Sequence, residues 1–411
     1  MSAQRAYQIE ETLYQSNQTV IYRAVRELDQ RKMILKVLAN AYPSPLELAR
    51  FRQEYDLVNA LSMEGIPQFE AFGKLDNRYF ISMRDTGGIT LGEYIENRKI
   101  EIGLFLQIAI QLSEILGQLH QKNVIHKDLK PANIFIHPEQ LNVTIHDFGL
   151  STQVQNDAPL QVVQGDWEGS LAYLSPERSG RMNRPFDYRS DFYALGISFF
   201  EILTGRLPFQ AKGPLEWVHI HLAQALPDPK AFRPEIPDML VTIIKKLVAK
   251  MAEDRYQSAA GLKYDLEKCL EQWQSNGSIV PFQLGEKDLS RTFRIPARIY
   301  GRNKEIASLS ATIQRVTQQG QAEMVLVSGY PGVGKTVFVR EVQKQIVAAN
   351  GFFISGKFDQ FNRGTPYQGF SQAFGVLAKQ LLSESEAVVS EWKKNLLRCT
   401  TVKLIKFTGN E

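Results

Sequence analysis

The front of the chain alternates apolar and polar residues in strand fashion, and from residue 91 the pattern switches to a helical period. Two strand-like runs, Val20 to Leu28 and Met33 to Leu38, are joined by the hairpin signal Asp29-Gln30-Arg31. Ser44-Pro45-Leu46-Glu47 has the form of a capping box with proline at the first helical position, which predicts a helix through about Leu61. Two further strands, Gln68 to Phe72 and Arg78 to Met83, flank a turn at Asp76-Asn77. Phe105, Ile108, Leu112, Ile115, Leu116 and Leu119 then recur at the spacing of one buried helix face.

Short strands are expected at Asn133 to Ile136 and Leu141 to Ile145. Phe192 to Leu203 is apolar nearly all round, the signature of a central buried helix, and Thr204-Gly205 is its stop signal. Helices continue to about Trp273. Residues 273–299 contain Asn276-Gly277-Ser278, Pro281, Gly285 and Pro296 without a sustained period and read as a linker. The pattern predicts one module over residues 5–272 and a second over residues 300–411.

Composition narrows the classes. The chain has 411 residues, 44% of them apolar and 22% charged, with a formal net charge of +4. Such a balance implies neither a nucleic-acid partner nor an acidic membrane surface. The densest basic patch, Lys245 to Lys250, has helical spacing and reads as a solvated face. Two cysteines, Cys269 and Cys399, lack any pairing or zinc motif and suit a reducing compartment. The polar start, Met1 to Glu11, lacks the apolar stretch of a signal peptide. Phe192 to Leu203 is too short to cross a bilayer, so a cytoplasmic protein without membrane insertion is expected. His219 and His221 alternate without a nearby cysteine or acid, which favours packing over metal binding.

Phosphoryl transfer asks a protein to hold phosphates and magnesium, neutralise charge and orient a hydroxyl nucleophile. Residues suited to those tasks occur in order. His126-Lys127-Asp128-Leu129-Lys130-Pro131-Ala132-Asn133 resembles the protein-kinase catalytic loop, and Asp147-Phe148-Gly149 follows it. The resemblance implies that Asp128 takes or orients the hydroxyl proton and that Lys130 neutralises the γ-phosphate. It makes Asn133 and Asp147 the Mg²⁺ ligands. Lys36 sits where the family anchors ATP, with Glu54 as its ion-pair partner. Gly169-Ser170-Leu171-Ala172-Tyr173-Leu174-Ser175-Pro176-Glu177 resembles the segment closing the activation loop. Asp191 resembles the aspartate that braces the catalytic loop, and Arg255 the partner of Glu177. Lys130 and the Gly169-Ser170 pair look like the Ser/Thr class.

Three departures stand out. The nucleotide-covering loop normally reads G-x-G-x-x-G, but Tyr14, Ser16 and Thr19 hold its glycine positions. Leu13 and Ile21 remain in place to sandwich adenine. Lys127 replaces the arginine beside the catalytic aspartate, and Ser175 replaces an alanine before Pro176.

In the second module, Met324-Val325-Leu326-Val327-Ser328 reads as a strand. Gly329-Tyr330-Pro331-Gly332-Val333-Gly334-Lys335-Thr336 follows it, with a helix-like run from Val337 to Val347. This is a P-loop signature in its strand–loop–helix context. Backbone from Gly329 to Gly334 would cradle phosphates, Lys335 would reach the β- and γ-phosphates, and Thr336 would coordinate Mg²⁺. The strand-borne acid that completes such a site is not recognisable downstream. Tyr300-Gly301-Arg302 with Glu305, and Gly356-Lys357-Phe358-Asp359-Gln360, resemble AAA-like ATPase domains of multi-sensor signalling kinases.

The expectation is therefore an α+β, two-lobed protein kinase fold followed by an incomplete α/β P-loop NTPase domain. An enzyme acting with ATP and Mg²⁺ on a protein substrate carrying Ser/Thr is the first reading. A nucleotide-binding pseudokinase scaffold, or a truncated fragment of a larger sensor kinase, stay open beside it.

Overall fold

The computed structural model describes residues 7–96, 98–154, 169–180, 186–289, 301–330, 334–335, 338–339, 346, 353–356, 367–382, 390 and 392–394. The first lobe is a five-stranded antiparallel sheet in the order β1-β2-β3-β5-β4, built from β1 (Tyr7–Gln15), β2 (Thr19–Arg26), β3 (Arg31–Leu38), β4 (Phe69–Leu75) and β5 (Arg78–Arg84). One sheet face gathers Ala24, Leu35, Val37, Leu75 and Phe80 into a small core. Because strand side chains alternate, Lys36 points to the opposite face, toward α1 (Pro45–Leu61). The Ser44 hydroxyl accepts the Glu47 amide and Glu47 accepts the Ser44 amide, so α1 starts at the expected capping box. Its buried stripe, Phe51, Glu54, Leu57, Val58 and Leu61, includes one charged residue, and that residue faces Lys36.

The second lobe is helical. Here α2 (Leu91–Ile95) leads to α3 (Ile102–Gln121), which carries the expected buried face and packs along α7 (Ala259–Asn276). Length and composition would let α3 cross a bilayer, a property looked for in the shorter Phe192–Leu203 run, but more than half of α3 is buried inside the lobe. The central helix α4 (Arg189–Thr204) is buried nearly all round and ends at Gly205 in the left-handed region. Around it lie α5 (Pro214–Ala223) and α6 (Asp238–Leu247). Against α2 and α3, β6 (Ile89–Thr90), β8 (Ile134–Ile136) and β9 (Val143–Ile145) form one small sheet. A second pairs β7 (Val124–Ile125) with β10 (Thr152–Gln153).

Two expectations need correction. Residues 273–289 are not a free linker: α7 runs to Asn276, and Ile279, Phe282 and Leu284 pack on the core of the second lobe. Residues 290–299 lie outside the described residues. In the second module, α8 (Asn303–Gln319) is present, but Met324 to Ser328 form no strand, and Met324 and Leu326 are exposed. A strand is held by its neighbours' ladder bonds, and no neighbour pairs with this run among the described residues. Most of the helix expected over 337–347 falls outside them.

Candidate active site

The cleft between the lobes collects its charged residues from four elements. Lys36 Nζ on β3 donates to Glu54 Oε1 at 2.7 Å and Oε2 at 2.9 Å, and to Asp147 Oδ1 at 2.9 Å. Burial alone would lower the Lys36 pKa, but the carboxylates of Glu54 and Asp147 outweigh it and keep the ammonium charged well above its usual range. The same contact, against the opposition of burial, holds the Asp147 carboxyl below its usual value.

Asp147 has φ 65° and Lys127 φ 72°, left-handed values that non-glycine residues rarely adopt. The surroundings fix both. The Asp191 carboxylate, fully buried at the start of α4, accepts the His126 and Lys127 amides at 2.9 Å each and faces His120 Nε2 at 2.9 Å. Arg178 donates to the Lys127 carbonyl. His126 donates from Nε2 to the His146 carbonyl at 3.0 Å and accepts the Asp128 amide on Nδ1 at 3.3 Å. Burial depresses its pKa, consistent with a neutral ring that both donates and accepts.

Asp128 is the hub of the lower cleft. Its Oδ1 accepts the Ser170 amide at 2.8 Å, while Oδ2 takes Asn133 Nδ2 at 2.9 Å and lies 2.9 Å from Lys130 Nζ. Burial opposes the charge, but Lys130 and the Ser170 amide keep its pKa below the usual carboxylate range. Gly169 lets the activation segment come this close, for a Cβ there would lie 3.0 Å from Asp128 Oδ1. Lys130 also donates to Ser170 Oγ at 2.6 Å.

With its amide nitrogen committed to Asp128, Asn133 is left with Oδ1, a hard oxygen. The Asn133 carbonyl accepts the His146 amide at 2.8 Å, which ties it to the residue before Asp147. Asn133 Oδ1 and the Asp147 carboxylate are oxygen donors of the kind Mg²⁺ takes, and the residues present fit that ion.

Ile21 on β2 stands opposite Lys36 in the ladder. Leu13 falls at a register shift between Thr12 and Tyr14 and is more than a third exposed. Arg23 Nε donates to Asp85 Oδ2 at 2.8 Å and its Nη1 to Glu11 Oε2 at 2.7 Å, tying both strands of the hairpin to the segment after β5. The loop tip is closed on itself: Ser16 Oγ accepts the Gln18 amide at 3.2 Å and the Thr19 amide at 3.0 Å.

At the far side, Glu177 and Arg255 form a buried bidentate pair with both contacts at 2.7 Å. His221 is also buried, facing Tyr193 OH at 2.8 Å through Nδ1 and the Leu171 carbonyl at 2.9 Å through Nε2. In the second module, Lys335 Nζ donates to the Gly329 and Tyr330 carbonyls at 2.7 and 2.9 Å, and Gly334 has φ 91°. Thr336 lies outside the described residues.

Sequence reading missed several of these roles. It did not place His120 on Asp191, nor the tilted Phe135–His146 ring pair with centroids 4.2 Å apart. It also missed Asp288, whose carboxylate accepts the Gln257 and Ser258 amides and whose place in an aperiodic stretch gave no signal. The Ser16 cap was findable, since Ser-x-x-Thr at a hairpin tip is a hydroxyl–amide turn signal.

Comparison with known proteins fits this geometry. The protein kinase domain family matches residues 7–266, and the AAA ATPase domain family matches residues 298–405. The chain belongs to the protein kinase family. It is similar to the hybrid signal transduction histidine kinase G of Dictyostelium discoideum, at 32% identity over 73% of this chain and 11% of that protein. It is also similar to the serine/threonine-protein kinase PrkC of Bacillus subtilis, at 31% identity over 64% of this chain and 40% of that protein. A third relative is the serine/threonine-protein kinase pkn3 of Myxococcus xanthus, at 28% identity over 64% of this chain and 49% of that protein. The chain thus spans less than half the length of each of these relatives.

Proposed function

We propose that this chain transfers the γ-phosphate of ATP to serine or threonine hydroxyls of a protein substrate, as part of signal transduction. The observation that carries this reading is the threefold contact of Lys36 with Glu54 and Asp147. It joins α1, β3 and the Asp147-Phe148-Gly149 turn in one arrangement, the one in which a lysine can meet nucleotide phosphates beside the metal ligands. Asp128 orients the acceptor hydroxyl and draws its proton, and Lys130 neutralises the charge that moves. Asn133 Oδ1 and the Asp147 carboxylate would hold Mg²⁺, which when bound offsets charge on the phosphate oxygens. The Lys130–Ser170 bond, at 2.6 Å, supports the Ser/Thr class.

The second module, on this reading, takes nucleotide phosphate on Gly329, Gly334, Lys335 and Thr336. The relatives support a place for the chain in the front part of a larger signalling kinase. A reducing, cytoplasmic setting is part of this reading, on the ground that the chain carries two cysteines without a pairing motif.

A second reading, a nucleotide-binding scaffold without turnover, is favoured by the self-closed tip at Ser16. Phosphate transfer from labelled ATP to dephosphorylated casein separates the two. Asp128→Asn and Asp147→Asn should each cost on the order of 10²–10⁴ in turnover. Wild-type turnover in both variants would sink the catalytic assignment.

A further inference from the structure

Beyond α7 the chain stays on the second lobe. Gly277 ends the helix at φ 63°, and residues 278–289 turn back along it. Phe282 lies under the Lys268 ammonium at 4.3 Å, and the Gly285 amide donates to Asp265 Oδ2 at 2.9 Å. This strap ends on Asp288, whose side chain is 6% exposed. Its two carboxylate oxygens accept the Gln257 amide at 2.9 Å each, and Oδ1 also takes the Ser258 amide at 2.8 Å and the Ser258 hydroxyl at 3.0 Å. Lys246 stands 3.8 Å behind. Ser258 is the N-cap of α7, so Asp288 adds a full negative charge where the helix's unpaired amides gather. Glycine at 261 makes room for it, since a Cβ there would lie 2.6 Å from Asp288 Cα and Cβ.

The anchored residues form one bonded loop with the substrate segment. Gln257 donates from Nε2 to the carbonyls of Ala252, Glu253 and Arg255, and its Oε1 accepts Arg189 Nη1 at 2.8 Å. Arg255, two residues before Gln257, grips both oxygens of Glu177 and the Arg189 carbonyl. Glu177 closes the segment whose other end, Gly169-Ser170, sits on Asp128.

We propose that Asp288, beyond the residues the kinase family match covers, is a positioning residue for the phosphoacceptor in the reaction proposed above. It acts through the Gln257 and Ser258 amides on Arg255, and through Arg255 on Glu177 and the segment that presents the acceptor beside Asp128. The inference rests on the kinase reading for its consequence and on the strap geometry for its cause.

The test compares steady-state kinetics of the full chain and its Asp288→Ala and Asp288→Asn variants, with ATP and dephosphorylated casein varied in turn. Asp288→Ala should raise KM for casein about five- to tenfold, with kcat and KM for ATP within about twofold of the parent. Asp288→Asn keeps one acceptor oxygen and should fall between the two. An unchanged casein KM overturns the proposal, and so does a parallel rise in both KM values, the mark of general destabilisation. Amide hydrogen exchange on the unaltered chain supplies a measurement that needs no variant to fold. Gln257 and Ser258 should exchange as slowly as the interior of α7, and exchange at free-loop rates overturns the anchor. No transfer by the unaltered chain would overturn the kinase reading and the positioning role together. Protected amides would then show that the anchor itself is formed.

Discussion

The hydroxyl of Ser16 accepts the Thr19 amide at 3.0 Å, and the Ser16 amide donates back to the Thr19 carbonyl at 2.9 Å. The tip between β1 and β2 therefore satisfies its own polar groups, where a glycine-rich loop would leave amides open to phosphate. Replacing both Ser16 and Thr19 by glycine removes the hydroxyl cap and frees the Gln18 amide. KM for ATP should fall about three- to tenfold, read from initial rates at saturating acceptor. An equal or higher KM would show that phosphate is held without those amides.

Activity should not require phosphorylation of the activation segment. Between Gly149 and Gly169 the hydroxyl-bearing residues are Ser151 and Thr152. Ser151 is buried and donates to the His126 carbonyl at 3.2 Å, while Thr152 pairs with Ile125 and takes the Lys127 ammonium on its hydroxyl. Both are already spent in holding the segment. Phosphatase-treated protein should retain its transfer rate within about twofold, in contrast to order–disorder switches. Loss of activity with phosphate mapped to either residue would contradict this.

Acid should loosen the second lobe through Glu177. Burial opposes its charge, yet the Arg255 guanidinium brings the folded pKa down to about 2, from 4.5 for the free side chain. A lowered folded pKa stabilises above the unfolded value, so the contribution is complete above about pH 5 and lost as pH falls toward 2. Its size is roughly 3 kcal/mol. Glu177→Gln should flatten the dependence of thermal stability on pH in that window, measured by calorimetry. An unaltered slope would mean that other carboxylates govern acid unfolding. Arg255→Ala strands the buried carboxylate and should cost about 3–5 kcal/mol at neutral pH.

In the second module Lys335 rests on the carbonyls of its own loop, Gly329 and Tyr330. Phosphate would draw it away from them. With transfer silenced by Asp128→Asn, the chain should bind a fluorescent ATP analogue at this module and lose that binding on Lys335→Ala. Steady-state hydrolysis should stay near background. Brisk hydrolysis abolished by Lys335→Ala would reveal an acid and a water-positioning group that the sequence reading did not find.

Much of the cleft could be read from the chain because its parts are encoded locally. The capping box at Ser44 sets the phase of α1, and that phase puts Glu54 on the buried face across from Lys36. The short spacing from Asp128 to Asn133 likewise brings Asn133 Nδ2 onto the Asp128 carboxylate. Relationships spanning long stretches were legible only where a family motif marked them, as with Asp191, which takes amides from residues more than 60 positions away. Its meeting with His120 depends on how α3 crosses α4 and carried no such mark. The strand expected at Met324 to Ser328 failed for a related reason. Apolar, β-branched composition favours extension, but a ladder needs a second strand, and none pairs with it among the described residues.

The docked strap changes what counts as a portable piece of this chain. A kinase excised at residue 266, where the family match ends, would be severed inside α7, which runs from Ala259 to Asn276. One excised after Asn276 would keep the helix but leave its first turn without the carboxylate that caps it from outside. Grafts and crystallisation fragments that respect the folding unit should therefore run through Leu289. Chimeras that exchange the ATPase module should splice beyond that residue, so that the incoming partner inherits an intact attachment point.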